Sequence, residues 1–341
     1  MTEKEKQIPK LLTNHEYMVK LFNSRLFDID HKALKVLNLN FYIIKEHLGK
    51  KFFHYVVYHK LTLKTNTGLR KRYTILCISF SNHGRRRMYQ ALELAYQNGF
   101  DKGQIIVPKP LWYVEELMAA FYIGVPGDNL LEYVKNGYLN MVIVKRLAHG
   151  LSRLHNILSF KKIKLKKHNF SPIFLDPTNV INRSYNKQTQ LAKEVIKQFK
   201  LLKVIKKKLG KDRHAFAHGD FHPENVIVNK FNNNQLAIID FSEVCLAPIY
   251  YDIASFLQQF EFMTSSYLEP QEYEQAEYIF LSTYFNRQRL DKNIKNKINL
   301  YKSWTALKSS VYFMIFEDDA NHRFAEQLLT KSEDLSRLIK I

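Results

Sequence analysis

Between residues 41 and 80 the helix-like spacing of apolar positions gives way to short runs of β-branched and aromatic residues. These runs are FYII (41–44), FFHYVVYHKLTL (52–63) and RYTILCISF (72–80), and they predict three strands. The second break, TNTGLRK, holds Asn66-Thr67-Gly68, a good hairpin turn because Asn and Gly tolerate positive φ. Residues 1–36 read as helical, with Leu11, Tyr17, Leu21, Leu26 and Leu34 set among charges. A helix is predicted over about 84–98, and a strand pair over 111–123 closed by Val125-Pro126-Gly127. Residues 128–158 return to helical periodicity. The section 160–213 is basic and mostly helical, broken by SPIFLDPTN, and the chain beyond 252 is helical almost throughout.

Three antiparallel strands followed by a helix are the layout of a small sheet-plus-helix lobe. The turn at 125–127 reads as a hinge, so residues 1–124 are expected to form an N-terminal lobe and 125–341 a larger helical one. A length of 341 residues agrees with two cores, since one core rarely keeps growing at that size. The 46% hydrophobic content excludes a largely disordered chain. Cys77 and Cys245 are too few for a disulfide framework and form no CxxC zinc pair. The opening MTEKEKQIPK lacks an apolar leader, and no run reaches the roughly 18–20 apolar residues of a membrane span, so the cytoplasm is the expected compartment.

The net charge of +20 raises the question of nucleic acid or an acidic surface as partner. Arg85–Arg87, KKIKLKK (161–167) and KVIKKKLGKDR (203–213) carry much of it. No recognisable nucleic-acid module accompanies them, and solvated faces are the favoured reading.

Chemistry concentrates in AHGDFHPENVIVNKFNNNQLAIIDFSEV, residues 217–244. VIV and LAIID are short strand runs joined by FNNNQ. A hairpin centred on Asn232-Asn233 sets Asn225 opposite Asp240 at its open end, with Asp220 in the loop before it. Opposed side chains of an antiparallel pair lie roughly 5 Å apart, a span suited to joint metal binding. Mg²⁺ takes a few carboxylate or amide oxygens together with water and phosphates. An Asp five residues before an Asn, with a second Asp following, matches the division of labour in phosphoryl transfer from ATP: Asp220 orients the hydroxyl and accepts its proton, while Asn225 and Asp240 hold the metal. Taken singly, Asn225 is compatible with a turn residue and Asp240 with a strand-end cap. The spacing His218, Asp220, His222 also admits a zinc site, but that leaves Asn225 and Asp240 unused.

HGDFHPEN followed by IIDFSEVCLAPIYYDIA resembles the aminoglycoside phosphotransferase and choline kinase-like superfamily, whose fold is similar to protein kinases. His218-Gly219-Asp220, Asn225, Asp240-Phe241 and Asp252-Ile253-Ala254 supply its pattern in order. The resemblance implies an α+β, bilobal protein kinase-like fold with an antiparallel-sheet N-lobe and a mostly helical C-lobe. It implies Asp220 as catalytic base, Asn225 and Asp240 as Mg²⁺ ligands, and His218 and Asp252 as supports of the loop. EHLGKKFFHYVVY, with Gly49, resembles a phosphate-covering hairpin. MAAFYIGVPGDNL resembles a hinge that holds adenine by its backbone near Ile123 and Val125. The likeness runs from about residue 41 to about 260.

One departure stands out. The family's third strand carries a lysine for the nucleotide phosphates, yet here that strand is RYTILCISF, with Cys77 or its neighbour in the lysine's place. Lys60, Lys64 or an arginine of the 84–98 helix then has to serve, or nucleotide binding is compromised. Ala247 also replaces the glycine common after the DF motif. The leading expectation is a kinase that phosphorylates a hydroxyl of a small molecule using ATP and Mg²⁺. The alternatives are a nucleotide-binding pseudokinase or scaffold, and an RNA- or lipid-associated relative. The acceptor is not legible. The net charge argues against a polycationic aminoglycoside, with Glu317-Asp318-Asp319 as an acidic cluster that opposes this argument.

Overall fold

Thr2 and Glu5 exchange hydrogen bonds in a capping box and start α1 (Glu3–Leu12); Asn14 caps α2 (His15–Asn23), and a single turn, α3 (Leu26–Ile29), follows. The computed structural model describes residues 2–168, 190–230, 232, 234–287, 289–315 and 319–340. Helix ends at Ile29, not near residue 36. Strand β1 (Ala33–Leu48) starts eight residues before the predicted FYII because β2 (Phe53–Thr65) pairs with it along nearly its whole length. Leu34 therefore belongs to a strand and stands exposed. Its helical reading failed because pairing with a distant segment overrode local spacing.

β3 (Arg70–Phe80) returns through a turn at Gly68, whose φ of 80° is left-handed. β5 (Pro110–Val114) and β6 (Ala119–Ile123) complete an antiparallel sheet of order β1-β2-β3-β6-β5. One face of this sheet buries Phe53, Val57, Leu61, Ile75 and Cys77 in a common core with Ile8, Leu12, Met18 and Phe22 of the first two helices. Helix α4 (Arg86–Ala95) follows β3 as predicted, and β4 is the short strand Ile105–Ile106.

His59 lies in that core, fully buried, with Nε2 2.9 Å from the Leu12 carbonyl. Burial pushes its pKa down to about 4, against a smaller opposing effect of that hydrogen bond. The unfolded chain takes up a proton near pH 6.5 that the folded chain refuses until about pH 4. Stability is therefore lost as pH falls through that window. Denaturant unfolding at pH 7 and pH 5 is expected to show a loss of about 2 kcal/mol from this residue, absent in His59→Gln.

The C-terminal half contributes β7 (Asp128–Asn129), α5 (Leu130–Lys135), α6 (Met141–His155), α7 (Gln190–Lys208), β8 (His214–Ala217), β9 (Val226–Asn229), β10 (Gln235–Ile238) and β11 (Cys245–Pro248). Helices α8 (Tyr250–Thr264), α9 (Pro270–Phe285), α10 (Lys292–Phe313) and α11 (Asp319–Arg337) finish it. Their core gathers Val195, Phe199, Tyr251, Trp304, Leu307 and Leu329. Part of the basic stretch 203–213 is neutralised internally: Asp212 pairs with Lys206 at 2.7 Å and with Lys297 at 2.5 Å.

Contacts divide the chain into two units. One holds residues 1–127, 159–164 and 227–243; the other holds 128–158, 165–226 and 244–341. The first boundary falls three residues after the expected one. The larger difference is that 227–243 clusters with the N-terminal segment, because β10 pairs in parallel with β4, Leu236 opposite Ile105. Gly127 closes the N-terminal segment with φ 135°, and a Cβ there would stand 2.3 Å from the Val228 carbonyl oxygen. Only glycine allows this approach of backbone to backbone. Asn233, Glu317, Asp318 and the stretch SPIFLDPTN lie outside the described residues. Among the described residues, no helix is long and apolar enough to cross a membrane.

Candidate active site

In the C-terminal unit, β8 ends at Ala217, and the loop 218–222 runs into a single 3₁₀ turn, Pro223–Asn225. Gly219 takes φ 86°, which lets consecutive amides turn to one acceptor. That acceptor is Asp252 in the first turn of α8. Its Oδ2 receives the His218 N–H at 2.7 Å and its Oδ1 receives the Gly219 N–H at 2.9 Å. His155 of α6 donates from Nε2 to Oδ2 at 2.9 Å, and the Tyr284 hydroxyl lies 2.6 Å from its Nδ1. An ionised carboxylate only accepts, which assigns the Nε2 proton to His155.

Asp252 is wholly buried. Burial raises its pKa, but the hydrogen bond and charge of His155, with His218 and the Gly219 amide, carry it below the ordinary carboxylate value. A chain from half-buried Tyr284 through buried His155 to Asp252 thus holds the loop backbone. His155 and Tyr284 are not evident as site residues in the sequence. The one available signal is that His155 shares the apolar face of α6 with Leu147, Leu151 and Leu154, all buried.

The loop carries Asp220, half-exposed. Burial pushes its carboxyl up, and the neighbouring His222, with the charges of Lys308 and His218, outweighs this and leaves it below its usual pKa. Lys308 comes from α10 and donates to the Tyr251 hydroxyl at 3.1 Å. Asn225 is nearly buried, and its Nδ2 donates to the Asp220 carbonyl at 2.9 Å and lies 3.0 Å from His222 Nε2. His222 Nε2 is also 3.6 Å from Asp220 Oδ2. One nitrogen serves both: a neutral ring accepts from Asn225, and a protonated ring pairs with Asp220. The His218 ring is buried edge-on to Phe221, 5.7 Å between centroids.

Asp240, Phe241, Gly49, Ile123 and Val125 belong to the N-terminal unit. Past the end of β10, Asp240 adopts φ 58°, a left-handed conformation that Asp tolerates and that recurs at functional sites. Its Oδ1 accepts from Ser242 N–H at 3.2 Å. Phe241 is buried, and with Asp240 and Tyr122 it borders a small cavity beside Met88 and Leu92 of α4. A larger cavity of about 370 Å³ opens on the sheet face opposite the helices. Tyr58, Leu76 and Tyr122 line it, together with the segment Ile123–Pro126, Ile227 and Ile239. Ile123 N–H donates to Lys109 O at 2.9 Å, so its carbonyl is what it can offer a ligand. Gly49 N–H donates to Phe52 O at 3.0 Å, and a Cβ there would stand 2.9 Å from His47 Nε2. Cys77 points into the core shared with the first helices, which leaves Leu76 as its cavity-facing neighbour.

Two residues, one in each unit, each offer an oxygen of the kind a hard cation takes. Asn225 spends its amide N–H groups inside the loop, which leaves Oδ1 to ligate, and Asp240 brings a carboxylate. Among the described residues, no three His, Cys, Asp or Glu side chains are grouped to hold a metal.

An antiparallel sheet with its helix, a helical C-terminal unit and an aspartate-pinned HGD loop define a protein kinase-like phosphotransferase fold. The chain belongs to the phosphotransferase enzyme family (APH), whose model matches residues 71–290. Among solved structures it is similar to Plasmodium vivax ethanolamine kinase, at 14% identity and a TM-score of 0.58, over 97% of this chain and 94% of that one. An amicoumacin kinase in complex with AMP-PNP and Ca²⁺ gives 14% identity and a TM-score of 0.61, over 94% and 96%. Choline kinase from Streptococcus pneumoniae gives 17% identity and 0.55, over 93% and 99%. No curated protein matches the sequence.

Proposed function

We propose that this protein is a small-molecule kinase that transfers the γ-phosphoryl group of ATP, with Mg²⁺, to a hydroxyl group. The observation that carries this reading is the pinned loop: Asp252 fixes the backbone of His218 and Gly219, and with it the position of Asp220. Positioning is most of what an enzyme contributes to phosphoryl transfer, since the protein does little covalent chemistry there.

In this reading adenine occupies the cavity beside Ile123–Pro126, with the Ile123 carbonyl and the Val125 amide as its backbone partners. A volume of about 370 Å³ is within the range of small-molecule sites. Gly49 lies in the hairpin that covers the phosphates. Asn225 Oδ1 and the Asp240 carboxylate hold Mg²⁺, which neutralises phosphate charge when bound. Asp220 accepts a hydrogen bond from the acceptor hydroxyl and aims its oxygen at phosphorus. With its pKa below the usual value it is a weak base, so orientation is the larger part of its contribution. Solved relatives hold AMP-PNP with Ca²⁺ in one case and ADP in another, which supports nucleotide and divalent-cation use.

Calorimetry with ATP in the presence and absence of Mg²⁺ tests the nucleotide half. Asp240→Asn is expected to lower Mg²⁺-dependent ATP affinity roughly tenfold or more, about 1.4 kcal/mol, with adenosine affinity unchanged. Equal ATP affinity in both proteins would remove Asp240 from the metal. Mass spectrometry of hydroxylated metabolites incubated with ATP tests the transfer half.

A further inference from the structure

We propose that Arg85 is the cation that receives the nucleotide phosphates, an assignment that rests on the kinase reading above. β3 alternates between a face packed on the first helices and a face turned to the cavity. On the cavity side stand Arg72, Thr74 and Leu76, with no lysine among them. Arg72 is at the Gly124 end, beside the proposed adenine site. Lys71 faces the other way, held 2.6 Å from Asp30. Other cations are also committed: Lys60 Nζ lies over Tyr42 at 4.7 Å, and Arg86 pairs with Glu115 and covers Tyr113.

Arg85 is placed differently. It is the N-cap residue of α4, half-buried, and its guanidinium carbon lies 4.9 Å from the Phe80 ring centre. Its Nε is buried with no hydrogen-bond partner among the described residues. A buried arginine nitrogen without an acceptor is costly, and a phosphate oxygen would supply one. The helix that Arg85 opens packs through Met88 and Leu92 against Asp240 and Phe241. The charges of Arg85 and Asp240 both reach Tyr122 and His54, in opposite senses. His54 itself is no substitute: burial, then the Arg85 charge, push its pKa down to about 4, so it is neutral at pH 7. With Phe80 beneath it, the guanidinium fork has the geometry to bind two phosphate oxygens at once.

Titration calorimetry of ATP and of adenosine, at constant Mg²⁺, separates a phosphate contact from a packing role. Arg85→Ala is expected to weaken ATP at least about tenfold while adenosine stays within about twofold. Arg85→Lys should fall between, and Lys60→Ala should leave both ligands within about twofold. Arg85→Gln keeps the stem without the charge and replaces Arg85→Ala under the same criteria if that variant fails to fold. Unchanged ATP affinity overturns the assignment, and so does a parallel loss of adenosine. A parent protein that binds adenosine and ATP equally overturns it too, and a parent that binds neither overturns the kinase reading with it.

Discussion

Asp220→Asn is expected to slow phosphoryl transfer by about 10²–10⁴-fold while ATP affinity stays within about twofold of the parent. The substitution keeps the size of the side chain and much of its hydrogen bonding, and removes the charge that orients the acceptor hydroxyl. Because its neighbours hold Asp220 below its ordinary pKa, it stays ionised throughout the neutral range. Its protonation therefore places no acid limb on the turnover profile above about pH 4. Steady-state kinetics on any accepted hydroxyl compound, beside calorimetry on the same preparation, provide the check. Undiminished transfer by the variant would remove Asp220 from the chemistry, and a matching loss of ATP affinity would move its role to the nucleotide.

Asp252→Asn is expected to cost about 3 kcal/mol of stability. An amide has one oxygen where the carboxylate has two, and its NH₂ must then face a backbone N–H or the His155 donor. His218, Gly219 and His155 all donate to this side chain, so at least one buried donor loses its acceptor. Turnover should fall as the loop loosens, and denaturant unfolding should show the same variant as the less stable protein. The pH dependence has a definite sign. The folded pKa of Asp252 lies below the unfolded value, so its contribution is complete above about pH 4 and is lost as pH falls through the folded pKa. Asp252→Asn should therefore converge with the parent in stability only in strong acid, below the window in which His59 acts.

The loop was legible because its geometry is local. His218, Gly219, Asp220 and Asn225 fall within eight consecutive residues, and a glycine beside an aspartate is enough to suggest a constrained turn. The strand runs and the turns at Gly68 and Gly127 were equally plain, because φ preference and β-branching act within a few residues. Asp252 was named from a motif, but its three hydrogen bonds come from two other parts of the chain.

What the amino-acid order determined alone was the type of most segments, the start of β1 excepted, and the residues that any phosphotransfer chemistry would need. The tertiary structure decided the partners. β1 runs eight residues beyond its apolar core because β2 offers backbone to pair with. The 227–243 hairpin clusters with the N-terminal unit because β10 finds β4, about 130 residues earlier in the chain. His155 became a support of the loop only when α6 came to lie beside α8. Arg85, one of three adjacent arginines in the sequence, was distinguished by its buried, unpartnered Nε, by Phe80 beneath it and by Glu115 beside its neighbour. Hydrogen bonds and charge pairs reach only a few ångströms, so which distant residues use them depends on how the chain packs, and local pattern carries no record of that.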